Sequence, residues 1–439
     1  MRPLTVIALA LLLLPLLATL SCAPPPAEPA VVLVILDTTR ADHLSAYGYE
    51  RETTPNLKRL ADEGERYDNA WSQAPWTLPA VATILTGQPP HRHGAGRGQR
   101  GMYGVAPEVT TVAERFQRAG WKTAAFISVL WCNPRLSNLN RGFDLYDFAS
   151  SDESNVGQRT AEETNRAAMR FIDEAKDDSF FLTVHYFDPH LTYDPPAPYD
   201  TMFEPDDSAD RLGENFGSAA EIFAIRDGRR PVVGRERQSL IARYDGELRY
   251  MDDRFGELRE ALERAGRWEN SLVVVVADHG EEFWDHGGFE HGHSHYREML
   301  RVPLIVKRPG GEPQQIADRV RQLDIAPTLT DFAAIDSEGL PGRPLGSGPA
   351  RYAIAEGSLW GGDLVSIRSD DGLLIVDRAT GSTRFYTADD AQERNALDHG
   401  PADLHQLLRA LPLTIDRSVA PEALTDEQRE QLRSLGYVE

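Results

Sequence analysis

Five of the 12 histidines fall within one 18-residue segment, from Asp278 to His295. The segment follows an apolar run of strand length and contains four glycines, which let the backbone close around a small centre. Asp278 and His279 stand side by side at the end of that run, where they offer one oxygen and one nitrogen ligand. Such mixed ligands suit Zn, Mn or Fe. We therefore predict a metal site here, against the alternative of a solvated polar loop.

The second candidate centre is Thr77, which stands two residues before Pro79. Proline is favoured in the first turn of a helix, so we expect Thr77 near the N-cap, where free N–H groups and the helix dipole attract an anion. A threonine there is far more often an ordinary helix cap. Beside a divalent cation, however, its hydroxyl becomes a nucleophile for a sulfuryl or phosphoryl group.

The elements that must position these residues alternate between strand and helix patterns. Residues 30–36 form a continuous apolar, β-branched run, which is typical of a strand buried on both faces of a parallel sheet. Further strands are predicted at 123–127, 180–187, 272–277 and 302–306, and helices at 55–63, 161–175, 239–265 and 323–334. This alternation predicts an α/β fold with a mainly parallel sheet.

Three aspartates lie just past the ends of three predicted strands. They are Asp37, Asp188 and Asp278. In open α/β sheets ligands bind beyond the carboxyl ends of the strands. We therefore expect these three carboxylates to converge at one edge of the sheet.

The composition is that of a globular protein, with 41% hydrophobic residues and a formal charge of -22. Such an acidic body repels a phosphate backbone, so nucleic-acid binding is not expected. It also disfavours adsorption to anionic lipid, so any membrane attachment must come from an anchor.

The N-terminus is predicted to supply that anchor. Residues 1–21 have one charge and a long apolar run, as in a signal peptide, and Cys22 follows directly. Residues 22–30 are proline-rich and extended, which predicts a linker behind a lipidated cysteine. An uncleaved transmembrane anchor or simple secretion is the alternative. The body is thus expected outside the cytoplasm, attached by lipid to a bacterial membrane and facing the periplasm, or secreted.

The remaining chain divides into two units in this interpretation. Residues 31–345 form the predicted catalytic domain, and 346–439 form a smaller C-terminal subdomain of short strands and a helical tail. Residues 206–231 are polar and aperiodic, and we expect a surface excursion there. If Cys22 is lipidated, Cys132 has no partner in the chain and is expected to be a buried free thiol.

Several short segments also carry a family resemblance. They are Leu36–Tyr49, Thr54–Leu57, Leu85–Gly87, Arg141–Asp144, His185–His190, Tyr244–Glu247, Ala277–Glu281, Arg301–Leu304 and Leu435–Glu439. As a set, they resemble the sulfatase family of the alkaline phosphatase superfamily, from about residue 31 onward. The resemblance implies a three-layer α/β/α sandwich with a small C-terminal α+β subdomain and a metal-supported attack on a sulfate or phosphate ester.

The resemblance also implies roles for individual residues. Asp37 resembles the metal ligand after the first strand, and Asp278 with His279 resembles the late ligand pair. His190 resembles the histidine that faces the ester. Either His291 or His293 resembles the additional histidine of two-metal relatives, with Asp188 or His190 as its companion ligand.

The sequence departs from the family at the nucleophile. Family sulfatases carry Cys or Ser, any residue, Pro, Ser and Arg, and the first residue is oxidised to formylglycine. Here the aligned residues are Thr77, Leu78, Pro79, Ala80 and Val81. Threonine cannot yield the aldehyde, so no formylglycine is expected. Thr77 instead resembles the nucleophile of phosphodiesterase, phosphonate-cleaving and phosphoethanolamine-transferring branches, which use two Zn; Mn or Ca is the alternative.

The sequence thus predicts a metal-dependent hydrolase of phosphate, phosphonate or sulfate esters with Thr77 as nucleophile. The substrate is expected to be a small molecule or an ester on a glycan or lipid. Two alternatives stay open at this point: an extracytoplasmic transferase that passes the group to a glycan or lipid, and a non-catalytic binding lipoprotein.

Overall fold

The computed structural model describes residues 28–98, 101–148, 159–204 and 219–412. The predicted signal peptide, Cys22 and most of the linker lie outside the described residues, as does the chain after residue 412. The strands are β1 (Ala30–Leu36), β2 (Glu65–Trp71), β3 (Gly96–Gly98), β4 (Gly101–Tyr103), β5 (Lys122–Phe126), β6 (Leu145–Asp147), β7 (Phe180–Tyr186), β8 (Ser271–Ala277), β9 (Glu282–Phe283), β10 (Phe289–Glu290), β11 (Arg301–Val302), β12 (Leu304–Lys307), β13 (Gln314–Arg321), β14 (Ala353–Glu356), β15 (Leu364–Arg368), β16 (Gly372–Asp377) and β17 (Thr383–Thr387). The helices are α1 (Pro55–Glu63), α2 (Thr77–Thr86), α3 (Pro90–His93), α4 (Val112–Arg118), α5 (Pro134–Ser137), α6 (Ala161–Glu174), α7 (Ala219–Arg226), α8 (Arg235–Arg264), α9 (Arg297–Leu300), α10 (Ile325–Phe332) and α11 (Ala402–Ala410).

A nine-stranded sheet forms the centre of the molecule. Its middle runs β8-β1-β7-β5-β6, and all four pairings there are parallel. On the other side of β8, β12 is antiparallel and leads to β2, which also pairs with β11 and β13. The predicted α/β sandwich with a mainly parallel sheet is confirmed.

The three central strands are apolar because both of their faces are covered. Every residue of β1, β7 and β8 is buried. Helices α1, α6 and α8 pack together in one group, and α2, α4 and α10 pack together in another. A strand covered on both faces needs apolar side chains at every position, which explains the unbroken run of residues 30–36.

Some predicted boundaries were wrong for local reasons. The predicted strand 302–306 is two strands, β11 and β12, which are separated by Pro303 and run antiparallel to their neighbours. Proline has no N–H for the strand ladder, so the pairing breaks there. The predicted helix 323–334 is shorter, because a 3₁₀ turn at Gln322–Asp324 precedes α10. Part of the predicted surface excursion forms α7, and its described residues reach the candidate site.

The C-terminal unit is a four-stranded antiparallel sheet in the order β14-β15-β16-β17, with α11 packed against β15. Its small core is formed by Val365, Ile367, Leu374, Phe385, Leu404 and Leu408. A separate apolar cluster joins it to the central sheet through Trp71, Met299, Leu300, Ala353 and Ala355. The limit at residue 345 stays a prediction. Over the described ranges, no helix is both long and apolar enough to cross a bilayer.

His286 also ties the two units together. Its Nδ1 lies 2.6 Å from Glu298 Oε1, and its Nε2 lies 3.0 Å from the carbonyl oxygen of Glu393. The ring stacks on Tyr296 with centroids 3.7 Å apart. Burial lowers the pKa of His286, but the hydrogen bond and charge of Glu298 outweigh it and raise the pKa to about 8. The protonated imidazole can donate to both acceptors at once, which the neutral ring cannot.

We expect this link to make the stability pH-dependent. A histidine whose pKa is higher in the folded state stabilises the fold fully below its unfolded pKa of about 6.5, and this contribution is lost as the pH rises through about 8. Between pH 6 and 8.5, the free energy of unfolding should therefore fall by about 1 kcal/mol more in the wild type than in His286→Gln. Urea unfolding at the two pH values measures this difference. Equal pH dependence in both proteins would contradict the assignment.

Candidate active site

Strand register brings the acidic residues together. Leu36 at the end of β1 is paired with Ala277 of β8 and with Tyr186 of β7. Asp37 and Asp278 are the next residues along their strands, so both carboxylates emerge at the same edge. Ligand atoms of Asp37, Asp278 and His279 all lie within 4.8 Å of one another. The predicted convergence holds for this pair of aspartates.

Hydrogen bonds orient these side chains and leave selected atoms without a partner. Asp278 Oδ1 accepts from the amides of His279 at 2.7 Å and Thr38 at 3.2 Å. Its Oδ2 and both carboxylate oxygens of Asp37 are buried and accept no hydrogen bond from any described residue. His279 Nδ1 lies 2.9 Å from the carbonyl oxygen of Gly280, so Nδ1 carries the hydrogen and Nε2 presents a lone pair.

The electrostatics of this cluster call for a cation. Burial raises the pKa of Asp37 well above its ordinary value, and the charges of Asp278 and Glu281 raise it further. Burial likewise raises the pKa of Asp278 and lowers that of His279. Two buried carboxylates with three unpartnered oxygens are costly unless a positive charge lies between them. The donor set therefore fits a divalent metal ion, which Asp37, Asp278 and His279 would hold.

Thr77 is the first residue of α2 and points into the same cluster. Its Oγ1 lies 3.3 Å from His279 Nε2. The N-cap is Trp76 and not Thr77, and Trp76 makes no side-chain cap. The structural reading of Thr77 as an ordinary cap is therefore wrong: its hydroxyl faces the candidate ligands.

His93 holds the first turn of α2 in place through hydrogen bonds. It is fully buried, and its Nδ1 accepts from the amide of Ala95 at 2.9 Å. Its Nε2 therefore carries the hydrogen and lies 3.1 Å from both the Pro79 carbonyl oxygen and Thr83 Oγ1. His93 is therefore part of the packing beneath α2 and not of the surface. His91 is part-buried and pairs with Glu356 of the C-terminal sheet.

Two further histidines complete the centre. The His279 and His291 rings are 4.6 Å apart, and the His190 and His291 rings are 5.0 Å apart. His291 Nδ1 lies 3.1 Å from Glu281 Oε1, while Tyr193 donates to Glu281 Oε2 at 2.9 Å. Burial lowers the pKa of both His190 and His291, and the charge of Arg226 lowers the pKa of His291 further. Both imidazoles are therefore neutral near pH 7.

Other predicted site residues have different partners. His293 Nε2 lies 2.8 Å from Glu282 Oε2, so of the two alternatives it is His291 whose ring contacts His279. Asp188 Oδ1 accepts from the amide of Ala161 at 3.0 Å, which places it at the start of α6.

Arg40 is held between two carboxylates beside the site. Its guanidinium bonds Asp42 at 2.8 Å and Asp285 at 2.7 Å. Both carboxylate oxygens of Asp285 accept hydrogen bonds from Arg40. Cys132 is a buried free thiol, which confirms that prediction.

The sequence reasoning missed three neighbours of the centre. His185 Nε2 lies 3.5 Å from Asp37 Oδ2, and the signal was a lone histidine inside the apolar strand β7. Glu281 orients His291, and its position two residues after His279 was visible in the sequence. Arg226 from α7 lies over Trp360 at 3.3 Å from the ring centroid and bonds Glu290 at 2.9 Å. No sequence signal pointed to this contact, because it joins three distant segments.

The comparisons with known proteins agree with this geometry. The family model described as sulfatase matches residues 29–335. The chain is 27% identical over 365 residues to an arylsulfatase of Clostridium perfringens, covering 70% of this chain and 75% of that protein. It is 24% identical to an N-acetylglucosamine-6-O-sulfatase of Bacteroides thetaiotaomicron, covering 74% and 72%.

A solved structure is similar in fold. The phosphonate monoester hydrolase from Silicibacter pomeroyi matches with a TM-score of 0.69 at 20% identity, covering 87% of this chain and 94% of that one. The family model matches well over half of the chain, and the carboxylate cluster lies at the ends of the central strands. The chain belongs to the sulfatase family of ester hydrolases.

Proposed function

We propose that the protein is a metal-dependent hydrolase of phosphoric, phosphonic or sulfuric esters that works through a covalent intermediate on Thr77. The observation that carries the proposal is the position of Thr77 Oγ1, at 3.3 Å from His279 Nε2 and beside the unpartnered carboxylates. A nucleophile of this type replaces the formylglycine of other family members, since threonine cannot be oxidised to that aldehyde.

In this proposal, Asp37, Asp278, His279 and Thr77 would hold one metal ion, and His291 would help to hold a second. Two Zn are the proposed ions, and Mn or Ca is the alternative, since the donors are mixed carboxylate and imidazole groups. When bound, such ions would withdraw charge from the non-bridging oxygens of the ester and lower the pKa of the attacking hydroxyl.

Thr77 Oγ1 attacks the phosphorus or sulfur atom in the first step, and the bond to the leaving oxygen breaks. The amides of Thr77 and Leu78 have no intrahelical acceptor at the start of α2, and Pro79 has no amide hydrogen. These two amides and the helix dipole stabilise the oxygens of the transferred group. Water then attacks the same atom, and the bond to Oγ1 breaks.

His190 is the proposed proton carrier. Its Nδ1 lies 2.7 Å from the carbonyl oxygen of Leu191, so the hydrogen is on Nδ1 and Nε2 holds the lone pair. Stacking on Phe187 at 4.5 Å fixes the plane of the ring. His190 takes up the proton that Thr77 releases and returns it to the leaving alcohol. In the second step it takes the proton of water and restores the Thr77 hydroxyl.

The proposed substrate is an ester of a small molecule, a glycan or a lipid. Relatives named as an N-acetylglucosamine-6-O-sulfatase and a phosphonate monoester hydrolase support this range. The proposed lipid anchor on Cys22 would hold the enzyme at a bacterial membrane facing the periplasm. This part of the proposal rests on the sequence alone.

Metal binding should stabilise the fold. A ligand that binds only the native state raises the free energy of unfolding, and a metal present at about 1,000 times its Kd adds about 4 kcal/mol. We expect added Zn or Mn to raise the melting temperature of the EDTA-treated protein by about 5 °C or more. Asp278→Asn should abolish this shift, whereas Asp188→Asn, a carboxylate at the same sheet edge, should keep it. An equal shift in all three proteins would argue against the assigned ligands.

Loss of the Thr77 hydroxyl should abolish turnover. Thr77→Val keeps the shape of the side chain and should lower kcat for bis-p-nitrophenyl phosphate, p-nitrophenyl phosphate and p-nitrophenyl sulfate by about 10³-fold or more, because the nucleophile is absent. Thr77→Ser should retain measurable activity. Mass spectrometry of a quenched wild-type reaction should find the transferred group on the peptide that contains Thr77. Full activity in Thr77→Val would refute the covalent route, and transfer to an added alcohol in preference to water would favour the transferase alternative.

A further inference from the structure

A cavity of about 230 Å³ lies at the junction between the central sheet and the C-terminal sheet. Its walls come from β2, β11 and β13 on one side and from β15, β16 and β17 on the other. None of the residues that line it belongs to the candidate active site. It is therefore a separate space, and its chemistry has to be explained from its own walls.

Four arginines from four different elements line this cavity. They are Arg297 of α9, Arg301 of β11, Arg319 of β13 and Arg368 of β15. Only two carboxylates, Asp390 and Glu393, share the lining. An excess of positive charge here contrasts with the formal charge of -22 of the whole chain.

The ion pairs among the described residues do not balance all of the positive charge that lines the cavity. Arg368 Nη2 bonds Glu393 at 2.6 Å, and Arg319 Nη2 bonds Asp370, a carboxylate that is 96% exposed, at 2.7 Å. Arg301 instead donates from Nε and Nη2 to the carbonyl oxygen of Asp68, at 3.1 and 2.9 Å.

Arg297 and Arg319 add to the unused donor capacity. Arg297 donates to the carbonyl oxygen of Ala391 and, like Arg301, forms no ion pair with a carboxylate within the described part of the chain. The Nε of Arg319 is buried and has no acceptor among the described residues. The Arg319 side chain is only 10% exposed. Backbone acceptors therefore orient Arg297 and Arg301, whose charges have no carboxylate ion pair among the described residues, and Arg319 keeps one unused Nε donor.

Repulsion between the arginines affects the pKa values of Arg301 and Arg368. Burial lowers the pKa of Arg301, and the charge of Arg297 lowers it further, whereas the charges of Asp42 and Asp68 oppose this shift. Burial also lowers the pKa of Arg368. The charge and hydrogen bond of Glu393 oppose this shift, and the charges of Arg297 and Arg319 add to it. Arg368 is held in place by stacking over Trp71, with its guanidinium carbon 3.8 Å from the ring centroid. An anion in the cavity would relieve this repulsion and supply the missing acceptors.

We propose that this cavity, defined by Arg297, Arg301, Arg319 and Arg368, is a binding site for a tetrahedral oxyanion. The ligand is a sulfate or phosphate group, either free or esterified to one sugar unit. Planar guanidinium groups match the oxygens of such anions in a bidentate manner. A water molecule occupies about 30 Å³, so the cavity has room for more than the anion alone. The site does not depend on the proposed function, because it shares no residue with the Thr77 centre.

Isothermal titration calorimetry on the EDTA-treated full chain tests this site. Removal of metal takes away the ions that would hold an anion at the active site. The titrants are sodium sulfate, sodium phosphate and glucose 6-sulfate at constant ionic strength, with sodium chloride as the control for general salt effects. We expect about one sulfate or phosphate group bound per chain. Tighter binding of glucose 6-sulfate than of sulfate would identify the esterified form as the ligand, and the reverse order would identify the free anion.

Two variants from different strands test the assignment to the arginines. Arg301→Gln and Arg319→Gln should each weaken binding by about tenfold or more, which is the effect of losing a charged hydrogen-bond donor. Arg351→Gln is the matched control, because this exposed arginine contacts Arg319 only through its carbonyl oxygen, while its guanidinium stacks on Tyr352 outside the cavity. Either arginine variant gives the answer if the other fails to fold, as judged by its melting curve. Absence of binding to the wild type, or equal affinity of the folded variants and the control, would overturn the proposal.

Discussion

The placement of two buried carboxylates side by side is the constraint on which the rest of the site depends. Asp37 and Asp278 follow two adjacent parallel strands whose last residues are in register, so the sheet itself forces their side chains together. Three of their four oxygens accept no hydrogen bond from the described residues. Bringing such charges out of water costs several kcal/mol per ion unless an opposite charge is bound. The fold thus maintains an arrangement that is favourable only with a cation.

Successive layers of contacts hold the surrounding groups in the orientation that such a centre needs. The Gly280 carbonyl fixes the tautomer of His279, and Glu281 with Tyr193 orients His291. These supporting groups determine which ring nitrogen faces the centre. The hydrogen-bond partners of metal-binding histidines generally have this effect. His93 anchors the first turn of α2 and so fixes the position from which Thr77 reaches the cluster. The Thr77 side chain therefore has little freedom to move.

The C-terminal sheet also contributes to the surroundings of the active site. Its loop supplies Trp360, which lies against Arg226 and 6.4 Å from the His291 ring. His286 and the apolar cluster around Trp71 hold the two sheets together. The arginine-lined cavity lies at the same junction. A unit that appears accessory in the sequence thus shapes one wall of the site and encloses a second charged space.

The sequence by itself determined the class of fold, because continuous apolar strands and alternating helices leave few alternatives to a covered parallel sheet. It also predicted that Asp37, Asp278, His279 and Thr77 would be candidate site residues, since each stands at the end of a strand or the start of a helix, and the structure brings these four side chains together. Only the tertiary structure brought the His291 ring against His279 and turned Asp188 toward α6, because these contacts depend on side-chain direction. It alone brought Arg226 to Trp360 and gathered the four arginines. Contacts between distant segments depend on how the layers pack, and no local pattern of residues records that packing.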